Sequence, residues 1–153
     1  MKQIVFSVPG TPVAKGRAKS SSRIDVGQNG QQRVFTRHYT PETTVKYENL
    51  VRLAAQEAMR GAEPFDRPVE LTVAIYLPIP QSWSKKKQEK ARTGLIGATK
   101  KPDADNVLKA LKDGMNGVVY VDDARITDVL LKKRYALSPR VDVVARQLEQ
   151  EAA

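Results

Sequence analysis

The chain has 153 residues, with 26 Lys and Arg against 17 Asp and Glu, one His and no Cys, for a formal charge of +9. The missing Cys excludes a disulfide framework, a thiolate nucleophile, an iron–sulfur cluster and a Cys-based zinc site, and one His cannot supply a His-rich metal centre. At 41% hydrophobic and 28% charged residues the composition is that of a globular protein, and the positive excess favours a polyanionic partner, nucleic acid before an anionic membrane surface.

A chain of this length fits one domain of roughly 150 residues. It can bury about two-thirds of its unfolded surface. Residues Ile4 to Val8 alternate, with Ile4, Phe6 and Val8 on one face, which predicts a strand stopped by Pro9-Gly10. Lys15-Gly16-Arg17-Ala18-Lys19-Ser20-Ser21-Ser22-Arg23 is basic, Ser-rich and without periodicity. It reads either as a solvated loop or as an arm that orders along phosphates. Gly27-Gln28-Asn29-Gly30 is a turn, and Gln32 to Tyr39 reads as a short returning strand.

Thr40-Pro41-Glu42 has the form of a helix start, a capping Thr with Pro at the first helical position and an early acid. Tyr47, Leu50, Val51, Ala54 and Ala58 follow at helical spacing, and Gly61 suits the stop. Val69, Leu71, Val73, Ile75 and Leu77 alternate with Glu70, Thr72, Ala74 and Tyr76, the clearest strand in the chain, ended by Pro78 and Pro80. Gln81 to Lys101 is a long polar stretch that reads as a loop and contains Lys85-Lys86-Lys87 and Lys100-Lys101. Trp83 beside three lysines can stack on a base or pack under the lysine stems, and packing is the commoner outcome.

Asp103 to Asn116 reads as a helix with Leu108, Leu111 and Met115 on its inner stripe and Gly117 as its stop. Val118 to Val121 is a short extended run into Asp122-Asp123. Ile126 to Tyr135 and Val141 to Leu148 read as two strands separated by Ser138-Pro139, and Gln150 to Ala153 as a frayed end. No stretch approaches the roughly 20 apolar residues that span a bilayer. The start MKQIVFSVPG is too brief in apolar character for a signal peptide, so a soluble cytoplasmic protein without a membrane partner is expected.

The acids around that last helix are the chemical signal. A lone Asp at a helix start is often only a cap. Two acids at Asp103 and Asp105 followed by the adjacent pair Asp122-Asp123 are harder to dismiss in a basic protein, because clustered carboxylates repel one another and repel nucleic acid. They become useful with a hard cation such as Mg²⁺ between them, since Mg²⁺ takes carboxylate and water oxygens. Lys109 lies four residues after Asp105, on the same helix face, where it forms an intrahelical ion pair or offsets charge on a phosphate. An EF-hand beginning at Asp103 would need Gly and Glu where the chain has Leu108 and Gly114. A glycosidase could use paired carboxylates but leaves the positive charge without a reason. A metal-dependent phosphodiesterase accounts for both acids and charge. A basic nucleic-acid-binding module without catalysis, or a less selective nuclease of branched DNA, are the rivals.

The run Lys101-Pro102-Asp103-Ala104-Asp105-Asn106, then Lys109, Asp113, Asn116-Gly117, Asp122-Asp123 and Ile126, resembles the RusA family of Holliday junction resolvases. Gly10-Thr11-Pro12 with Lys15 and Arg17, and Pro80 with Ser82-Trp83-Ser84-Lys85-Lys86, are flanking matches. The resemblance implies a small α+β fold, a mixed β-sheet packed by two main helices, in one domain spanning residues 1–153 that works as a homodimer. It leaves mobile basic loops near 15–33 and 81–101. It implies Mg²⁺-dependent cleavage of four-way DNA junctions by paired nicks, in recombination and repair, with no small-molecule cofactor. Asp103, Asp105 and Asp123 would be catalytic metal ligands, Asp122 a further metal ligand and Lys109 the catalytic lysine. Lys15, Arg17, Lys19, Arg23, Lys85, Lys86, Lys87, Lys100 and Lys101 would hold DNA. The family's early motif is richer in Pro and Arg than Lys15-Gly16-Arg17-Ala18-Lys19. Gly114 stands where a better helix former is usual, a cost of about 1 kcal/mol relative to Ala. His38 reads as a surface residue.

Overall fold

The computed structural model describes residues 1–17, 19–39 and 41–152. In chain order it contains β1 (Gln3–Pro9), β2 (Lys19–Val26), β3 (Gln32–Tyr39), α1 (Glu42–Met59), β4 (Val69–Pro78), α2 (Lys85–Arg92), α3 (Ala104–Met115), β5 (Ile126–Ala136) and β6 (Arg140–Gln147). A 3₁₀ turn at Asp123–Arg125 precedes β5. The class is α+β, as the resemblance implies.

The main sheet runs β1-β6-β4-β5, with β6 antiparallel to both β1 and β4 and β5 parallel to β4. Its register turns the alternation of the sequence into rows. Ile4, Ala145 and Leu71 form one row, Phe6, Val143 and Val73 the next, and Val8, Val141 and Ile75 a third. All nine side chains are buried. Complete burial of a Val, Leu or Ile side chain contributes about 1.5–3 kcal/mol, so these rows dominate the core.

Helix α1 packs on β1 and on α3 over this face. Its buried stripe is Thr44, Tyr47, Val51, Ala55 and Met59. Leu50, expected inside, is 40% exposed, because the stripe follows an i+4 ridge that leaves Leu50 about 100° away from Val51 on the helix surface. The expected cap Thr40 lies outside the described residues. Pro41 occupies the N-cap position itself, so the helix starts one residue later than predicted, and Arg60 ends it in a left-handed conformation. Helix α3 buries Val107, Ala110, Leu111, Gly114 and Met115. A methyl group at Gly114 would stand 2.7 Å from Val51 Cβ and 2.9 Å from the Glu48 carbonyl, so this glycine is where α1 and α3 cross.

Two segments read as loops have regular structure. The stretch near 15–33 contains β2, paired antiparallel with β3 in a separate two-stranded ribbon. Ile24, Val26 and Val34, on one face of the ribbon, are more than half exposed, so that face does not impose the buried alternation by which a strand is recognised. The stretch 81–101 contains α2, started by Ser84, whose Oγ accepts the Lys87 N–H at 3.2 Å. Only Ala91 of α2 is buried, which leaves the helix without an apolar stripe.

Two tyrosines pack on the core with different outcomes. The Tyr120 hydroxyl donates to the Lys112 carbonyl at 2.7 Å. The Tyr47 hydroxyl is buried without a partner among the described residues. An unsatisfied buried hydroxyl is costly, so Tyr47→Phe is expected to raise stability by about 1 kcal/mol in urea unfolding, whereas Tyr120→Phe should lower it by about the same amount. Burial pushes the Tyr47 hydroxyl up to about 12. The unfolded chain therefore releases this proton near pH 10 while the folded chain keeps it, and stability falls as pH rises through that range. Tyr47→Phe should show a smaller alkaline loss than the wild type.

Candidate active site

The acidic motif begins in the loop ahead of α3. The Lys101–Pro102 peptide is cis. Beneath it, Lys133 of β5 donates from Nζ to the Lys100 carbonyl at 2.9 Å and the Pro102 carbonyl at 3.1 Å. Lys133 pairs in register with Ile75 of β4, so its stem starts on the helix-covered face of the sheet and its ammonium ties the loop down. Asp103 is the N-cap residue of α3 and its carbonyl accepts the Val107 N–H at 3.2 Å, but its side chain makes no capping hydrogen bond. Its carboxylate is exposed and makes no hydrogen bond or ion pair among the described residues, which removes the plain capping explanation for this residue.

Asp105 stands in the first turn of α3, where the helix dipole favours a negative charge. It is exposed, and so is Lys109. The two do not form the intrahelical ion pair that their spacing allows, and neither has a salt bridge elsewhere among the described residues. An exposed i,i+4 pair contributes about 0.2–0.5 kcal/mol where it forms, as between Glu42 and Lys46 of α1. Asp113 is engaged instead, with Lys15.

Asp122 and Asp123 follow a buried anchor. The Phe65 N–H donates to the Val119 carbonyl at 2.7 Å, and the Val121 N–H returns a bond to the Phe65 carbonyl at 3.0 Å. Tyr120 between them is fully buried. The chain emerges at Asp122, whose carboxylate accepts the Ala124 N–H at 3.1 Å. That bond, with hydrogen bonding to Asp123, holds the Asp122 carboxyl below the ordinary range. The Tyr120 hydroxyl is raised, first by burial and then by the charges of Asp123 and Asp113, so both carboxylates lie within electrostatic reach of it. Arg125, at the end of the same turn, pairs with Asp66 at 2.9 Å.

All four acids are thus exposed carboxylates at the start of α3 and on the turn that follows it. In kind they suit a hard divalent cation, which takes oxygen donors. Among the described residues, no three His, Cys, Asp or Glu side chains converge closely enough to hold a metal ion.

The basic residues divide into several groups. Arg17, Lys85, Lys86 and Lys101 are exposed. Arg23 is exposed on β2 and engaged with a neighbour. Lys19 begins β2, and its side chain lies outside the described residues, as does Ala18. Lys87 lies 4.1 Å and Lys100 5.6 Å from the Trp83 ring centroid, and Trp83 meets Tyr135 edge-on at 5.5 Å. Trp83 therefore takes the packing role, with the lysine ammonium groups over its face. Lys15, expected to face DNA, is turned inward between Glu48 and Asp113. The inward turn of Lys15 and the tether from Lys133 have no local sequence signal, since each depends on partners about 30 or more residues away.

Comparison with known proteins places this arrangement. Residues 9–146 match the family described as Endodeoxyribonuclease RusA. The chain belongs to the RusA family. The matched region includes β4, β5 and all of β6 but Gln147, both main helices and all four acids, and takes in only Pro9 of β1. A Bacillus subtilis (strain 168) protein described as uncharacterized protein YqaN is 39% identical over 150 residues, covering 97% of this chain and 99% of its own length. Membership in the RusA family makes the chain a nuclease. Among the described residues, no helix is long and apolar enough to cross a membrane.

Proposed function

We propose that this chain is a Mg²⁺-dependent endodeoxyribonuclease that resolves four-way DNA junctions in recombination and repair, working in the cytoplasm as a homodimer of one-domain subunits without a small-molecule cofactor. The observation that carries the reading is that Asp103 and Asp105 have no side-chain partner among the described residues. They stand at the start of α3 in a chain of charge +9, while most other acids are tied to Lys, Arg or hydroxyl partners.

In this reading Asp103, Asp105, Asp122 and Asp123 hold the metal. Bound Mg²⁺ supplies an activated water and screens the phosphate charge. Lys109, exposed on the face of α3 that carries Asp105, offsets negative charge growing on the phosphate. Lys133 keeps the Asp103 loop against β5, so the first ligand is borne on a fixed backbone. Arg17, Lys19, Arg23, Lys85, Lys86, Lys87, Lys100 and Lys101 contact phosphates. A four-way junction has approximate two-fold symmetry, so a two-fold dimer sets one site on each of two opposed strands, and paired nicks leave two duplexes.

The test is competition. The purified protein with Mg²⁺ is given labelled four-way junction, flap and linear duplex in one reaction. Preferential cutting of the junction is expected. Equal cutting of flap and junction would make it a general branched-DNA nuclease, and salt-sensitive binding without product would make it a binding module. Binding should weaken steeply with salt, and Lys86→Ala should reduce the slope of log affinity against log salt by about one, measured by fluorescence anisotropy.

A further inference from the structure

Lys15 is held between two carboxylates from two helices. Its Nζ lies 2.6 Å from Glu48 Oε1 of α1 and 2.9 Å from Asp113 Oδ2 of α3, with the lysine side chain 28% exposed. Burial alone would lower its pKa, but Glu48 and then Asp113 outweigh that and hold it above the ordinary lysine value. One ammonium between two carboxylates leaves a net negative triad, a poor seat for a phosphate.

The backbone around Lys15 is fastened as firmly. The Lys15 N–H donates to the Asn106 carbonyl at 2.8 Å, and the Gly16 N–H to Thr44 Oγ1 at 3.0 Å. A methyl group at Gly16 would fall 2.8 Å from Pro41 Cγ, so the chain lies flush against the start of α1. Pro12 is buried, and Val13 and Ala14 pack on the core. Asn106 and Asp113 are seven residues apart, so Lys15 touches α3 at points about 10 Å apart along its axis. The basic ribbon begins four residues later, at Lys19. Asp105 and Lys109 lie on α3 between or beside those two contacts.

We propose that Lys15 is a positioning residue: by bridging Glu48 and Asp113 it fixes the root of the β2–β3 ribbon on the helix that carries Asp105 and Lys109, so that DNA held by the ribbon is presented to the acidic site. The inference rests on the nuclease reading for its consequence, though not for the tether itself. DNA contacts made by Arg17 and Arg23 then act at a set distance from the carboxylates. Loss of the bridge leaves those contacts available but lets the ribbon swing relative to α3.

The experiment uses the full chain as wild type, Lys15→Met and Lys15→Arg, with three readouts. Native-state trypsin nicking at Arg17 and Arg23, followed by mass spectrometry, reports the tether without DNA. Junction affinity in Ca²⁺ reports binding, and the single-turnover rate at saturating protein in Mg²⁺ reports cleavage. For Lys15→Met we expect nicking about fivefold faster. Its saturated cleavage should be about tenfold or more slower, since small misplacements are costly in catalysis. Junction affinity should change by less than about threefold, because an already paired lysine adds little to phosphate binding. Lys15→Arg should restore most of the rate. A binding loss with unchanged saturated cleavage would make Lys15 a DNA contact and overturn the proposal, and so would unchanged nicking. If Lys15→Met fails to fold, Glu48→Gln and Asp113→Asn take its place. Each should speed nicking and slow cleavage while leaving affinity equal or tighter, and wild-type behaviour in both would also overturn it. If the wild type cuts no junction, the nuclease reading fails, and the nicking comparison still decides the tether.

Discussion

Asp105→Asn is expected to reduce junction cleavage by about a thousandfold while leaving junction binding equal or slightly tighter. The reduction follows if Asp105 is a ligand of the proposed metal, because such a metal would contribute several kcal/mol of charge stabilisation. With about 1.4 kcal/mol per decade of rate, three decades correspond to roughly 4 kcal/mol. Binding is preserved because the change removes a negative charge next to DNA. Folding is preserved because Asp105 is exposed, accepts no hydrogen bond and joins no ion pair among the described residues. Its one structural asset is the helix dipole at the start of α3, about 0.3–1 kcal/mol. Gel-based cleavage, anisotropy binding and a thermal melt on one preparation check the three parts. Binding lost together with folding would give Asp105 a structural role instead.

Gly114→Ala is expected to destabilise the protein, against the usual sign for a glycine inside a helix. By propensity alone, Ala would gain about 1 kcal/mol over Gly. Here the added methyl group meets Val51 Cβ and Cγ1 at 2.7 Å and the Glu48 carbonyl at 2.9 Å. A carbonyl in the middle of α1 cannot rotate away, so the two helices must separate. Overpacking of that kind costs about 1–3 kcal/mol, so against the propensity gain the net loss should be up to about 2 kcal/mol. For a chain of this size that lowers Tm by up to about 8 °C. Gly114→Val should be worse, since two further methyl groups enter the same contact. A rise in Tm for Gly114→Ala would show that α1 and α3 do not cross so closely. Glu48, whose carbonyl defines the contact, also holds Lys15, so separation of the helices should loosen that bridge too.

The parts of the fold that were legible are those in which one face is buried and the other is not. β1 and β4 alternate because Ile4, Phe6 and Val8, and Val69 to Leu77, each face one core. β2 was not legible, because the face carrying Ile24 and Val26 meets solvent and burial there does not select an apolar residue at every second position. α2 was not legible for the same reason, being polar on every side but that of Ala91. Leu50 misled because it is apolar and exposed, which is common and carries no positional information. Gly114 could be read as a weak helix residue, yet its reason lies in Val51, 63 positions earlier in the chain. The candidate acids stand out because their spacing is local. The sequence pattern allows an Asp105–Lys109 pair that is not made among the described residues. Lys133 and Lys15 act through long-range contacts with a loop and two helices, and a basic residue in the sequence does not disclose whether it faces phosphate or a carboxylate of its own chain.

The account stands most directly on one measurement, cleavage of a synthetic four-way junction by the purified protein in Mg²⁺, compared with the same reaction in EDTA and with linear duplex. The expected result is a pair of symmetric nicks on opposed strands, yielding two nicked duplexes, with the linear duplex intact and no product in EDTA. An intact junction under conditions in which a control resolvase cuts it, or product formed equally in EDTA, would contradict the metal-dependent junction nuclease proposed for this chain.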